Sequence, residues 1–215
     1  MTAGFSNYAD RQSWLAARKE MGIGSSEIAA VLGLSNRLSQ TELWAIKVGR
    51  EQPKDISDND RVAYGTKAEK HLRALFALKH KGEYRITYHQ FGIYRRFPFF
   101  STLDGELERL SDGAKGIWEC KTALITSKKD YEKWGQNSIP TEYYCQVVEQ
   151  LYVTGWDFAI LNAELRHEDG RAEIREYMIE ANDCKEDMQY IKEKGEAFWR
   201  EYVIKNTPPP VTLRI

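Results

Sequence analysis

The chain has 215 residues, of which 31 are basic and 32 acidic, for a formal net charge of −1. That balance excludes a histone-like coat for nucleic acid, though not a nucleic-acid ligand, because local fields matter more than the sum. With 42% hydrophobic and 29% charged residues the chain is too apolar for disorder, and no apolar run approaches the ~18 residues of a membrane span.

The start, MTAGFSNYADRQSW, has no basic segment followed by an apolar one, so no signal peptide is expected and the cytoplasm is the expected compartment. Ser6 or Asn7 is placed to cap a helix over residues 14–20. Gly22-Ile23-Gly24 then breaks the chain, and Ser25 is placed to cap a second helix over 27–33. A third helix over 41–48 stops at Gly49. Residues 51–59, polar and holding a proline, read as a loop. A long helix over 60–81 follows. Its apolar stripe is Val62, Leu72, Leu75, Phe76 and Leu78, and its other face carries Arg61, Lys67, Lys70, Arg73, Lys79 and Lys81 against one acid, Glu69. A charge run is usually a solvated face, but this one is lopsided enough to suggest an anionic partner.

The period then changes. Residues 84–88 and 91–97 read as strands rich in aromatic and β-branched side chains. Two more, 99–103 and 116–122, are expected to be joined by a hairpin around Ser111-Asp112-Gly113. A charged helix over 127–134 carries Lys128, Lys129 and Lys133. Pro140 opens a strong helix over 141–153, closed by Gly155. Strands 158–165 and 172–179 turn at Asp169-Gly170, and a last helix over 183–205 ends at three prolines. This order predicts an α/β fold, a mixed central sheet flanked by helices after a helical N-terminal region.

Cys120, Cys145 and Cys184 form no CxxC pair, and the four histidines no HxxxH or HExxH pair, so reduced thiols and structural histidines are expected. The informative stretch is Leu103-Asp104-Gly105-Glu106 followed by Trp118-Glu119-Cys120-Lys121. Side chains alternate along a strand, so Glu119 and Lys121 point one way and Cys120 the other. If the register brings Asp104 to Glu119, two carboxylates repel unless a cation lies between them. Two hard oxygen ligands suit Mg²⁺, which keeps waters. Lys121 beside them could orient or deprotonate a water, or hold a phosphate. An isolated Glu-x-Lys on a surface strand has no such meaning, and neither does an Asp-Gly turn.

The pair Asp104 and Glu119-Cys120-Lys121 resembles the signature of the PD-(D/E)xK, restriction-endonuclease-like superfamily, with Leu103 where proline is usual. Gly22 to Gly33, Thr41-Glu42-Leu43-Trp44 with Gly49, Gly65-Thr66-Lys67-Ala68-Glu69, and Tyr144-Cys145-Gln146-Val147-Val148-Glu149-Gln150-Leu151 with Thr154-Gly155 occur in the order of YqaJ-type phage recombinases. From about residue 14 to 165 the chain is similar to that family and its lambda-type alkaline exonuclease relatives. The resemblance implies a restriction-endonuclease-like core in one nuclease domain. Residues 1–59 would be its helical N-terminal part, 60–165 its catalytic core and 166–215 a strand with the C-terminal helix.

The resemblance also implies roles. Asp104, Glu119 and the backbone carbonyl of Cys120 would hold Mg²⁺, with Mn²⁺ as a substitute. Lys121 would be the catalytic lysine, Glu69 a core-helix acid near the metal or a second ion, and Gln146 a glutamine near the reacting phosphate. Arg18, Ser26 (with Ser25 competing) and Thr102 would hold a 5′-phosphate. The activity implied is 5′-to-3′ digestion of double-stranded DNA ends. It would leave 3′ overhangs for a single-strand annealing protein, by a homo-oligomer forming a trimeric ring. Two other classes stay open. One is a nuclease of other specificity, such as a single-strand exonuclease, an endonuclease or a Cas4-like enzyme. The other is a non-catalytic DNA-binding or assembly subunit.

Overall fold

Asp10, rather than Ser6 or Asn7, opens the first helix: its side chain accepts the N–H of Ser13. In the computed structural model, which describes residues 3–56, 58–135 and 138–210, residues Gly4–Asn7 are instead a short strand, β1. Ser57, inside the expected 51–59 loop, and the last five residues lie outside the described residues. Helix α1 covers Arg11–Glu20. A two-residue strand β2, Ile23–Gly24, follows, then a three-ten turn at Ser25–Glu27 and α2, Ile28–Val31. Ser25 is not a side-chain cap here. The Glu27 carboxylate accepts the Gly24 N–H at 2.7 Å and fixes the turn. Helix α3, Gln40–Lys47, begins at a capping box between Ser39 and Glu42.

Asn59 caps the long helix α4, Asp60–Lys79. Only Leu72 and Phe76 of its expected stripe are buried. Leu75 and Leu78 are exposed, because the helix packs on the sheet along a narrow line. The strands β3 (Tyr84–Thr87), β4 (Gly92–Arg96), β5 (Phe99–Ser101), β6 (Gly105–Arg109) and β7 (Lys115–Ile125) follow. Helices α5 (Lys128–Glu132) and α6 (Thr141–Thr154), strands β8 (Phe158–His167) and β9 (Ala172–Glu180), and α7 (Lys185–Phe198) complete the fold. Helix α7 runs on from a three-ten turn into a π-helical end at Trp199–Ile204. Gly155, at φ +69°, stops α6 in the left-handed conformation that glycine adopts without strain.

There are two sheets where one was expected. The five-stranded sheet runs β3-β6-β7-β8-β9, mixed because β7 and β8 are parallel and its other pairs antiparallel. The second sheet runs β1-β4-β5-β2. The expected partnership of 99–103 with 116–122 is therefore wrong. Strand β5 turns into the smaller sheet against β4 and β2, and β7 pairs with β6. Alternation could not reveal this, because it fixes faces and not partners.

Helix α6 covers one face of the larger sheet, with Val147, Val148 and Leu151 in one core with Ile117, Leu161 and Ala163. Helix α4 covers the other, where Leu72 and Phe76 meet Leu107, Trp118, Phe158 and Ile160. Each such side chain contributes roughly 1.5–3 kcal/mol when fully buried. Trp118→Ala would cost about 3–5 kcal/mol and loosen α4 from the sheet. Among the described residues no helix is long and apolar enough to cross a membrane.

Candidate active site

The register of the β6–β7 hairpin builds the site. Gly105 pairs with Trp118, so one step outward Asp104 stands opposite Glu119. Asp104 Oδ2 accepts the N–H of Cys120 at 2.9 Å, which anchors the carboxylate to the neighbouring strand. Glu119 is 2% exposed and is gripped by three donors. Lys121 Nζ and Gln146 Nε2 reach Oε1 at 2.5 and 2.6 Å, and Gln150 Nε2 reaches Oε2 at 2.7 Å. The two glutamines stand one turn apart on α6, on the face turned to the sheet.

The electrostatics follow from this crowding. Burial, then the nearby Glu119 charge, push the Asp104 carboxyl well above the usual carboxylate range. Burial opposes the charge on Lys121, but Glu119 and Asp104 outweigh it, so its ammonium is held more firmly than usual. The Cys120 thiol is pushed up by burial and by the surrounding carboxylates, which makes it a poor nucleophile. One ammonium facing two carboxylates leaves the cluster short of positive charge. Among the described residues no group of three or more histidine, cysteine or acidic side chains converges as a metal cage. The two carboxylates, Asp104 and Glu119, are hard oxygen donors of the kind that Mg²⁺ takes while keeping waters.

Glu69 lies one link away. Its carboxylate is paired with Arg73 at 2.9 Å, and the same guanidinium nitrogen donates to the Asp104 backbone carbonyl at 2.5 Å while its carbon sits 3.6 Å from the centre of the Tyr88 ring. Beyond Lys121 the Tyr143 ring, 5.2 Å from Nζ, opens onto a groove of about 470 Å³ that also touches Arg37 and Lys133.

The residues expected to hold a phosphate lie at a second corner. Parallel pairing of Gly24 with Phe100 brings the turn holding Ser25 and Ser26 beside the end of β5, next to Thr102. Gly22, at φ +118°, permits this approach, since a Cβ there would lie 2.1 Å from the Pro98 carbonyl oxygen. Ser25 is buried, Ser26 exposed and Thr102 half-buried. Arg18 stacks on Trp14 and Phe100, at 4.4 and 5.8 Å from their ring centres. Among the described residues it makes no ion pair, and burial lowers the basicity of its guanidinium.

Gln150, Arg73 and Glu27 were seen only as parts of a motif or a charged face, and their contacts in the site escaped the sequence reading. The i, i+4 spacing of Gln146 with Gln150, and of Glu69 with Arg73, was the available signal. For Glu27, which also pairs with Lys47 at 2.6 Å, the signal was its place three residues after Gly24.

Residues 13–157 match the YqaJ-like viral recombinase domain. The chain belongs to that family. It is 29% identical over 148 residues to the uncharacterized protein YqaJ of Bacillus subtilis strain 168, matching 69% of this chain and 44% of that protein, so it spans less than half of that relative's length. Among solved structures it is similar to the alkaline exonuclease LHK-Exo of Laribacter hongkongensis. That match has a TM-score of 0.64, 18% identity, and covers 91% of this chain and 94% of that one. It is also similar to a phage-related exonuclease of Haemophilus somnus 129PT, at a TM-score of 0.58 and 10% identity, over 87% and 97% of the two chains. This chain thus has the mixed α/β fold of those exonuclease structures, as the motif order implied.

Proposed function

We infer that the chain is a metal-dependent DNA exonuclease acting on duplex ends, 5′ to 3′, leaving 3′ single-stranded overhangs for an annealing protein in phage-type recombination. The observation that carries this reading is the convergence of Asp104, Glu119 and Lys121 at the end of one hairpin, with a shortage of positive charge between the two acids. Similarity to LHK-Exo and membership of the recombinase family support it.

Asp104 and Glu119 would hold Mg²⁺, or Mn²⁺ in its place, with the Cys120 carbonyl as a further oxygen. When bound, the ion supplies a more acidic water and a counter-charge for a phosphate oxygen. Gln146 and Gln150 keep the Glu119 carboxylate in one orientation, so it need not reorganise when substrate arrives. Lys121, a firmly protonated ammonium, acts as a cation: it holds the scissile phosphate and donates a hydrogen bond to it. Arg73 ties Glu69 to the Asp104 loop and keeps that loop in place.

At the second corner Arg18, Ser25 or Ser26, and Thr102 would receive the 5′-phosphate. Arg18 supports this: it is a partly desolvated guanidinium that feels the Glu27 charge but, among the described residues, makes no ion pair, so it can take a bidentate anion. The protein would work as a homo-oligomer, a trimeric ring around the product strand.

The test is digestion of linear duplexes with a 5′-phosphate or a 5′-hydroxyl, in Mg²⁺ or EDTA, by the wild type and Glu119→Ala. The expected result is mononucleotide release that needs Mg²⁺ and Glu119 and prefers the phosphorylated end. Cutting of closed circular DNA, or duplex binding without hydrolysis, would overturn it.

A further inference from the structure

Helix α6 carries a third polar side chain that the chemistry above does not use. Glu149 lies three residues after Gln146 and one before Gln150, and is fully buried. Its Oε2 lies 2.8 Å from the hydroxyl of Ser101, also fully buried at the end of β5, while Oε1 is buried with no hydrogen-bond partner among the described residues. A carboxylate with one neutral partner in such a place would leave a charge uncompensated. Burial accordingly raises this acid well above its ordinary range; the Ser101 hydroxyl opposes this and the nearby Glu27 charge adds to it. Burial thus favours the neutral form of this acid, which bridges a helix to a strand.

What it bridges gives it a use. Gln146 and Gln150 of α6 fix Glu119. Ser101 immediately precedes Thr102, and its neighbour Phe100 pairs with Gly24 and packs under Arg18. We propose that Glu149 is a positioning residue that locks β5 to α6 and so fixes the span between the 5′-phosphate corner and the Asp104–Glu119 pair. The inference rests on the exonuclease reading above. A phosphorylated end seated in the corner presents its scissile bond to the carboxylates only if that span is correct, and misplacement of about 1 Å is enough to cost much of the rate. An end without the phosphate does not use the corner and is indifferent to the lock.

The experiment compares Glu149→Gln, Glu149→Leu, Ser101→Ala and the double variant Glu149→Leu/Ser101→Ala. Single-turnover rates and apparent affinities are measured on 5′-phosphate and 5′-hydroxyl duplexes, alongside melting temperature. Leucine fills the volume without the bond, and glutamine keeps both. Glu149→Leu and Ser101→Ala should each slow the phosphorylated end about tenfold, with affinity and the hydroxyl-end rate unchanged. Glu149→Gln should match the wild type, and the double variant should lose no more than either single one. Equal loss on both ends, no loss in a folded variant, or Glu149→Gln behaving as Glu149→Leu would overturn the inference alone. If Glu149→Leu does not fold, Ser101→Ala and Glu149→Gln decide the matter. A wild type that hydrolyses nothing or ignores the end phosphate would overturn the functional reading and this inference with it.

Discussion

The β6–β7 corner and the β2–β5 corner are built in opposite ways. At the first, Asp104, Glu119 and Lys121 come from one hairpin, and the register alone makes them neighbours. At the second, Arg18, Ser25 and Thr102 come from three segments, held by a two-residue parallel pairing and by Glu27, which clamps Gly24 and pairs with Lys47. The first corner concentrates charge and the second isolates it. Glu119 has three donors, whereas Arg18 has aromatic faces and, among the described residues, no carboxylate at hydrogen-bonding range. A corner made by register should fail in chemistry when altered, and one made by long-range tethering should fail in selection of the end.

The largest expected effect tests the first half of that contrast. Glu119→Gln and Asp104→Asn should each lower Mg²⁺-dependent hydrolysis by about 10³-fold or more while duplex binding persists. Single-turnover digestion with a parallel binding titration measures both. A variant with near-normal rates would remove the carboxylate pair from the reaction. Next comes Gln150→Ala, which strips Glu119 Oε2 of its donor. It should cost about 10–100-fold, seen as a rightward shift in the Mg²⁺ dependence of the rate. The second corner answers with Arg18→Ala. It should reduce the preference for a phosphorylated end about tenfold and leave the hydroxyl-end rate alone. Loss on both ends alike would mean that Arg18 serves packing.

The same contrast explains what the sequence disclosed. Asp104 with Glu119-x-Lys121 was legible because strand alternation and one turn determine where those heads lie. Helices α4 and α6 were legible from their apolar spacing, and α6 also from Pro140 and Gly155, whereas the Asn59 cap of α4 was not read. The second sheet was not. Strand β2 is two residues long, too short for any periodic signal, and β5 reads equally well as a partner for β7. Burial of Leu75 and Leu78 was over-read because a helix period says which face is apolar, and packing decides how wide a stripe the sheet covers. Glu149 was invisible for a similar reason. On a helix wheel it stands beside Gln150, and only the approach of Ser101 from β5 buries it.

Two acids are displaced upward by burial, Asp104 at the first corner and Glu149 in the bridge between the corners, and the smallest expected effect separates them. An acid raised in the folded state binds its proton more tightly there than in the unfolded chain. Its cost to stability is absent below the unfolded carboxylate range of about 4 and grows as pH rises from there through the folded value. Asp104→Asn and Glu149→Gln, which cannot ionise, should therefore melt higher than the wild type near about pH 8 by a few degrees, and no higher near about pH 3. Mg²⁺ distinguishes the two. On the proposed reading it would neutralise the Asp104–Glu119 pair, and so should raise the melting temperature of the wild type and of Glu149→Gln, with little effect on Asp104→Asn. Thermal melts at both pH values, with and without Mg²⁺, check this. An Asp104→Asn variant that gains as much from Mg²⁺ as the wild type does would place the ion elsewhere, and with it the distinction between a corner that binds a cation and a corner that binds an anion.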